Sequence, residues 1–177
     1  EHETTLSAMT VLAMAYGKAD RRSEELSLLE NLLQLRRAKL GPDHAGTLTA
    51  MLNLAMARAG GGQLDEAAAL LRDVVLGREK SLGPEHARTL EAKNLLGGIH
   101  VQQGDYAEAE TLLLEAYQGF EKGQTADAKL YSAAQMQSVI KNLVQLYEKS
   151  NQPEKATAWK EKLAALTAEL KQEEGSK

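Results

Sequence analysis

A nine-residue loop that returns at a fixed interval constrains the fold of this chain more than any other feature of its sequence. LGPDHAGTL occupies residues 40–48, and LGPEHARTL occupies residues 82–90. The first residues of the chain keep part of the pattern, because His2, His44 and His86 are separated by 42 positions each time. A period of this length indicates a repeat array, in which each repeat is one supersecondary element packed against the next.

Each period contains two helix-length segments divided by a short turn. In the second period, residues 47–59 lead to the glycine run at 60–62, and residues 64–82 follow. Hydrophobic residues make up 43% of the chain and aromatic residues only 4%, so the core must consist mainly of Leu, Ala, Val and Met, a composition that favours helices. The pattern predicts eight antiparallel helices in four pairs, without strands. The predicted joints between them are residues 17–23, 40–44, 60–63, 83–86, 104–105, 123–126 and 150–153.

The recurring loop is predicted to join one helix pair to the next. Gly41 and Gly83 suit a left-handed residue just past a helix end, and a proline follows each of them and prevents the helix from continuing. The loop histidines are predicted to stabilise this joint. Equivalent positions in stacked repeats lie roughly 10 Å apart, whereas zinc ligands lie about 2 Å from the ion, so these histidines are not expected to share a metal.

The repeats predict a single domain over residues 1–171, followed by a disordered tail at residues 172–177. The four repeats span about residues 1–40, 41–82, 83–122 and 123–171. The fourth departs from the period by about five inserted residues between Phe120 and Ser138, which are expected to lengthen its first helix. Since the chain begins inside the recurring loop, it is interpreted as part of a longer array.

Specific residues then give the repeats a family resemblance. The first helices carry Leu12–Ala13, Leu54–Ala55, Leu96–Gly97 and Leu143–Val144; the second helices carry Ala67, Ala109 and Ala156, then Leu29, Leu71 and Leu113, then Leu32, Val74, Ala116 and Leu163. These positions resemble the tetratricopeptide repeat, and the 42-residue period is similar to the subclass found in kinesin light chains and many bacterial proteins. The first repeat departs at Glu25, where the others have Ala, and at residues 18–23, which replace a glycine turn.

The resemblance implies an all-α fold, a right-handed α-solenoid of four helix pairs whose first helices line a concave groove. Asparagine amides suit such a groove because they can both donate to and accept from a peptide backbone. The resemblance places the peptide-binding groove at Ser7, Thr10, Val11, Met14, Thr49, Leu52, Asn53, Met56, Glu91, Asn94, Leu95, Gly98, Ser138, Lys141, Asn142 and Gln145. Its N-terminal end is therefore expected to be apolar and rich in Met, and its other end polar.

No pattern in the sequence indicates catalysis. There is no nucleophile with a base, no carboxylate pair and no metal-ligand spacing, so no catalytic residue, metal or cofactor is expected. His100 occupies the repeat position of Tyr16 and Tyr147 and is predicted to pack in the core. Trp159 occupies the position of Leu28, Leu70 and Leu112, and the same role is predicted for it.

Charge and hydropathy restrict the partners. The net charge is −4, and the basic residues are interleaved with acidic ones, which argues against nucleic acid. No apolar run approaches the length of a membrane span, and no signal-peptide pattern opens the chain, so no membrane association and a cytoplasmic location are expected.

Two functions remain open. The first is a non-catalytic scaffold that binds a peptide or protein segment in the groove, as part of a larger signalling or regulatory protein. The second is a structural or oligomerising segment of a longer array, which self-associates through its ends and binds no groove ligand. The apolar groove positions favour the first function, because exposed apolar clusters usually mark interaction surfaces.

Overall fold

Short turns join consecutive helices within residues 3–125 and within residues 133–175. The computed structural model describes residues 3–125 and 133–175. The helices are α1 (Glu3–Lys18), α2 (Arg22–Leu40), α3 (Ala45–Gly60), α4 (Leu64–Leu82), α5 (Ala87–Gln103), α6 (Tyr106–Thr125), α7 (Ala133–Lys149) and α8 (Pro153–Gly175). Within those two ranges there are eight helices and no strand, which confirms the predicted all-α repeat fold.

The helices form two compact units, Glu1–Leu82 and Gly83–Lys177. In the first unit, each of the helices α1 to α4 packs against the next one in the chain. In the second unit, α5 to α8 pack in the same order, and α5 also packs against α7. The boundary between the units follows Leu82, where the second repeat was predicted to end.

The core is built from the positions that carried the repeat pattern. Ala67, Ala109 and Ala156 are all buried, as are Leu71 and Leu113. The small alanines let the two helices of a pair approach closely, and the leucines fill the space between them. On the first helices, the leucines of the pattern are buried in the second, third and fourth repeats, whereas Leu12 in the first repeat remains 45% exposed.

In the first repeat, a glycine on α1 makes room for the larger side chain that replaces alanine on α2. Glu25 stands where the other repeats have a buried alanine, and it forms an ion pair with Arg22 at 2.8 Å. A Cβ atom at Gly17 would collide with the Glu25 carboxylate. The larger side chain on α2 is therefore accommodated by the missing side chain on α1, and the pair packs despite the substitution.

The joints confirm the positive φ predicted at the loop glycines. Gly41 has φ 86° and Gly83 has φ 94°. The left-handed helical conformation predicted for Gly41 is wrong, because its ψ of 168° places it in an extended region that essentially only glycine adopts. The turns inside the pairs also need a positive φ, and in the first and fourth repeats Asp20 and Asn151 supply it, with φ of 56° and 57°. Short polar side chains tolerate this conformation better than most.

Two helix ends correct the predicted boundaries. Helix α6 continues to Thr125, so residues 123–125 are helical where a joint at 123–126 was predicted; residue 126 lies outside the described residues. Helix α8 continues to Gly175, whereas a disordered tail was predicted from residue 172. Lys, Gln and Glu at residues 171–174 are good helix formers, and nothing there breaks the helix. The part of the insertion at 126–132 lies outside the described residues.

Candidate functional site

The recurring loop positions the first helix of each following pair through its histidine. His44 precedes α3, and its Nδ1 accepts a hydrogen bond from the backbone N–H of Gly46 at 3.0 Å. His86 precedes α5 and accepts from the N–H of Arg88 at 3.1 Å. Both histidines therefore act as N-caps, which satisfy amides that the helix itself leaves unpaired. This confirms the joint-stabilising role predicted for them; His2 lies outside the described residues.

A buried threonine ties each of the same two helices back to its loop. Thr47 Oγ1 donates to the carbonyl oxygen of Gly41, and Thr89 Oγ1 donates to that of Gly83, both at 2.8 Å. Both threonines are completely buried. The histidine cap and the threonine hydrogen bond together fix the direction in which α3 and α5 begin after the loop. They therefore determine which side chains of these two helices reach the surface.

In the first unit, the predicted groove positions include large apolar side chains that stay in solvent. Val11 is 67% exposed and Met14 is 59% exposed on α1, and Met56 is 45% exposed on α3. Leu52 and Asn53, also on α3, are half-buried. We call these five residues the first-unit face.

The hydroxyl positions beside this face bond within their own helices. Thr10 Oγ1 donates to the carbonyl of Leu6 at 3.0 Å, and Thr49 Oγ1 donates to that of Ala45 at 2.9 Å. Ser7 is exposed one turn before Thr10. Because two of the three hydroxyl protons are used inside the helix, the face presents mainly apolar atoms.

In the second unit, the structure brings four of the predicted positions together between α5 and α7. Asn94 is only 4% exposed, and its Nδ2 donates to Ser138 Oγ at 3.0 Å. Asn142 Nδ2 donates to Asn94 Oδ1 at 2.8 Å. A Cβ atom at Gly98 would lie 3.1 Å from that same Asn142 nitrogen, so glycine permits the close approach. We call Asn94, Ser138 and Asn142 the α5/α7 network.

The other predicted positions of the second unit surround this network. Glu91 and Leu95 on α5 are half-buried, and Lys141 and Gln145 on α7 are exposed. In this arrangement the Asn94 amide bonds to neighbouring side chains of the fold, whereas the sequence analysis expected it to bind a ligand backbone. The sequence shows that asparagines occupy these two positions, but the groups to which they hydrogen-bond depend on how α5 packs on α7.

A further polar network ties α6 to α7 and α8. Tyr147 Oη donates to Glu110 Oε1 at 2.7 Å, and Lys155 Nζ donates to the same oxygen at 3.1 Å. These two hydrogen bonds lower the pKa of Glu110 below its ordinary value, and the bond from Tyr147 has the larger effect. Burial, and then the Glu110 carboxylate, raise the pKa of Tyr147 above its ordinary value. The network holds a buried tyrosine neutral and a carboxylate charged at neutral pH.

Both aromatic predictions for the second unit concern its core. His100 is 2% exposed, which confirms a buried packing position. Trp159 is partly buried against the core, and its ring meets that of Tyr117 edge-on at 4.7 Å between centroids. The surroundings of His100 were not predicted from the sequence: Asp105 and Glu108 place their carboxylates beside its ring. In the sequence, Asp105 and Glu108 have the spacing of an N-cap and its capping box, which does not indicate contact with His100.

None of the helices in the described ranges is both long enough and apolar enough to cross a bilayer.

Comparison with known proteins identifies the repeats. The sequence profile of the tetratricopeptide repeat family matches residues 4–75 and 62–122. A search of curated proteins finds no match.

Solved structures of similar fold contain kinesin-light-chain-like repeats. BtubC (BKLC) from P. vanneervenii superposes with a TM-score of 0.83 at 18% identity, covering 94% of this chain, which spans 64% of the length of BtubC. A Podosopora anserina chain named as a putative kinesin light chain with nearly identical tetratricopeptide-like repeats gives a TM-score of 0.79 at 25% identity, covering 96% of this chain and 78% of that one. A substituted form of the same Podosopora anserina chain gives a TM-score of 0.80 at 25% identity, covering 96% and 77%.

Proposed function

Because this chain belongs to the tetratricopeptide repeat family, whose repeats in general mediate protein–protein interactions, we propose that its first-unit face binds an apolar segment of a partner protein. Proteins of this family are typically non-catalytic scaffolds, and we assign the chain the same role. We place it in the cytoplasm, within a larger signalling or regulatory protein.

The observation that carries the proposal is the exposure of Val11, Met14 and Met56. Exposing large apolar side chains costs free energy in water, and clusters of them usually mark interaction surfaces. Methionine is unbranched and polarisable, so Met14 and Met56 can repack around partner side chains of different shapes. The face therefore suits a partner segment with aliphatic or aromatic anchors.

The polar groups play a smaller part in the proposed binding. Asn53 on α3 supplies the amide that bonds to the partner's backbone. The amides of Asn94 and Asn142 bond to each other in the fold, and we assign them the positioning of α5 against α7. Burying one apolar anchor contributes about 1.5–3 kcal/mol, whereas a neutral hydrogen bond contributes a net of about 1 kcal/mol. Apolar contacts should therefore dominate affinity.

The test is a peptide-library selection followed by titration of substituted proteins. Met56→Glu places a charge where the anchor would bind and should weaken binding at least about tenfold. Leu76→Glu is the matched control, because Leu76 is 64% exposed. It lies on α4, the second helix of its pair, which contributes no residue to the first-unit face. The control substitution should leave the affinity unchanged. Affinity should also vary little with salt, since none of the five residues of the face is charged.

Selection of acidic peptides that lose affinity steeply as salt is added and ignore Met56→Glu would contradict the proposal. Such peptides would direct the search to a basic surface elsewhere on the chain.

Self-association is the second candidate function, and the last helix favours it. On α8, a surface hollow of about 430 Å³ is lined by Leu163, Ala164, Thr167 and Ala168, with Lys160 and Lys171 at its two ends. Such an apolar face suits the helix of a further repeat or of another copy. If no peptide binds but sedimentation shows association at micromolar concentration, and Ala168→Glu at an exposed position of the hollow abolishes it, this function replaces the first.

A further inference from the structure

We propose that His100, Asp105 and Glu108 form a binding site for a zinc-type divalent cation at the turn between α5 and α6. His100 lies in the last turn of α5, Asp105 immediately precedes α6, and Glu108 lies in the first turn of α6. One ligand-type atom from each of the three side chains lies within 4.8 Å of the other two. This site is separate from the first-unit face and does not depend on the proposed function.

The Nδ1 atom of His100 is the observation that indicates a ligand at this turn. The side chain is 2% exposed, and its Nδ1 is buried without a hydrogen-bond partner. A buried polar atom without a partner destabilises the fold, and native structures rarely leave one. Asp105 Oδ2 lies 3.4 Å from Nδ1.

The distance between His100 Nδ1 and Asp105 suits a shared cation better than a direct hydrogen bond. Protein N–H···O bonds have donor–acceptor distances of about 2.7–3.2 Å. Ligands at about 2.0–2.2 Å from a tetrahedral zinc ion are separated from one another by roughly 3.4 Å. The Asp105 carboxylate matches this separation from Nδ1, and Glu108 Oε2 lies 3.6 Å from Nε2 on the other side of the ring. Glu108 is exposed, so a change of rotamer can bring its carboxylate to the same ion.

The ligand types select the class of cation. Mg²⁺ and Ca²⁺ take oxygen ligands, so a buried imidazole disfavours them. Zn²⁺ accepts both histidine nitrogen and carboxylate oxygen, and three protein ligands leave a fourth position for water. The two carboxylates also offset the charge of the ion. A metal here would tie the end of α5 to the start of α6.

The equivalent positions in other repeats supply matched variants. Tyr16 and Tyr147 occupy the position of His100 in the first and fourth repeats, so His100→Tyr removes the ligand and keeps a side chain that the fold accepts. In the second repeat, Arg58 stands in place of His100, and Glu66 stands in place of Glu108. Glu66→Gln therefore removes an equivalent carboxylate without touching the proposed site.

The experiment titrates Zn²⁺, and separately Co²⁺, into the untagged full chain in which His2, His44 and His86 are replaced by Asn. Asparagine retains N-cap ability, and His100 is then the only histidine. Calorimetry and the visible absorption of bound Co²⁺ should show one ion per chain, and Zn²⁺ should raise the unfolding temperature. Asp105→Asn and Glu108→Gln should each weaken binding at least about tenfold, His100→Tyr should abolish it, and Glu66→Gln should leave it unchanged.

Two results would overturn the site. One is equal Zn²⁺ affinity in the His100→Tyr chain, which would place the ion elsewhere. The other is the lack of any Zn²⁺-dependent shift in the unfolding temperature at a hundredfold molar excess, in the parent chain as well as in the histidine-depleted one. Because Asp105→Asn changes only an exposed side chain, it decides the question even if His100→Tyr fails to fold.

Discussion

The first-unit face and the α5/α7 network share two positions of the repeat, yet they differ in chemistry and in exposure. Val11 and Asn53 in the first unit correspond in the repeat to Leu95 and Asn142 in the second. In the first unit, apolar side chains remain in solvent, whereas in the second unit a buried asparagine bonds to its neighbours. One repeat position can thus present an apolar side chain to solvent in one unit and take part in the packing of two helices in the other.

The difference has an energetic reason. An exposed methionine adds little to the stability of the fold, so its replacement costs little unless a partner covers it. A buried amide must be hydrogen-bonded, and its loss leaves the partner groups unsatisfied. The exposed side chains of the first unit therefore contribute little to folding, and the second unit gains a defined packing of α5 against α7.

The largest expected effect comes from removing the centre of the α5/α7 network. Asn94→Ala removes the donor to Ser138 Oγ and the 2.8 Å acceptor of Asn142 Nδ2, which keeps only its 3.4 Å bond to the Asn94 backbone carbonyl. The change should lower the free energy of unfolding by about 2–3 kcal/mol. Asn53→Ala, on the first-unit face, should change it by less than about 0.5 kcal/mol. Urea denaturation of both variants measures the difference. Equal losses of unfolding free energy in the two variants would show that the buried asparagine stabilises the fold no more than the one on the first-unit face.

The joints should behave alike in both units. Gly41→Val and Gly83→Val each force a β-branched residue into positive φ and should cost about 1–3 kcal/mol. Gly61→Ala serves as the control, because Gly61 has φ −90° and a Cβ there would make only ordinary contacts. Denaturation midpoints should fall for both valine variants and not for the control. An unchanged midpoint for either one would show that its joint tolerates a side chain.

The histidine caps should have a smaller and again matched effect. His44→Ala and His86→Ala should each cost about 1 kcal/mol, because an N-cap acceptor is lost. His44→Asn and His86→Asn should recover most of that loss, since asparagine can accept the same hydrogen bond. Thermal unfolding of the four variants checks this. If alanine and asparagine give the same stability, the cap contributes nothing.

The smallest effect is a pH dependence confined to the second unit. The pKa of Glu110 is lowered in the fold by Tyr147 and then by Lys155, so its contribution is present above the ordinary pKa of 4.5 and is lost as the pH falls through the lowered value. Tyr147→Phe should therefore reduce the loss of stability between neutral pH and pH values below 4.5. Urea denaturation at several pH values measures it, and an identical profile for Tyr147→Phe would contradict the assignment.

Much of the fold could be predicted from the sequence because its signals are local and recur. The period, the helix pairs and the loop glycines follow from residue spacing and from backbone sterics, which neighbouring residues determine. The buried alanines and leucines follow from the same pattern, since each repeat places them at the same point of a helix pair. Helix ends were less predictable: α6 and α8 run past the expected ends, because a lone glycine or a polar segment does not by itself stop a helix.

Other features were decided only by tertiary packing. The sequence shows that Asn94 and Asn142 are polar, but their mutual hydrogen bond requires α5 to lie against α7. Likewise, the room that Gly17 leaves for Glu25 depends on contact between α1 and α2. His100 meets Asp105 and Glu108 only when the turn brings the end of one helix to the start of the next. Contacts between helices depend on the geometry of close packing, which residue spacing within a single helix does not encode.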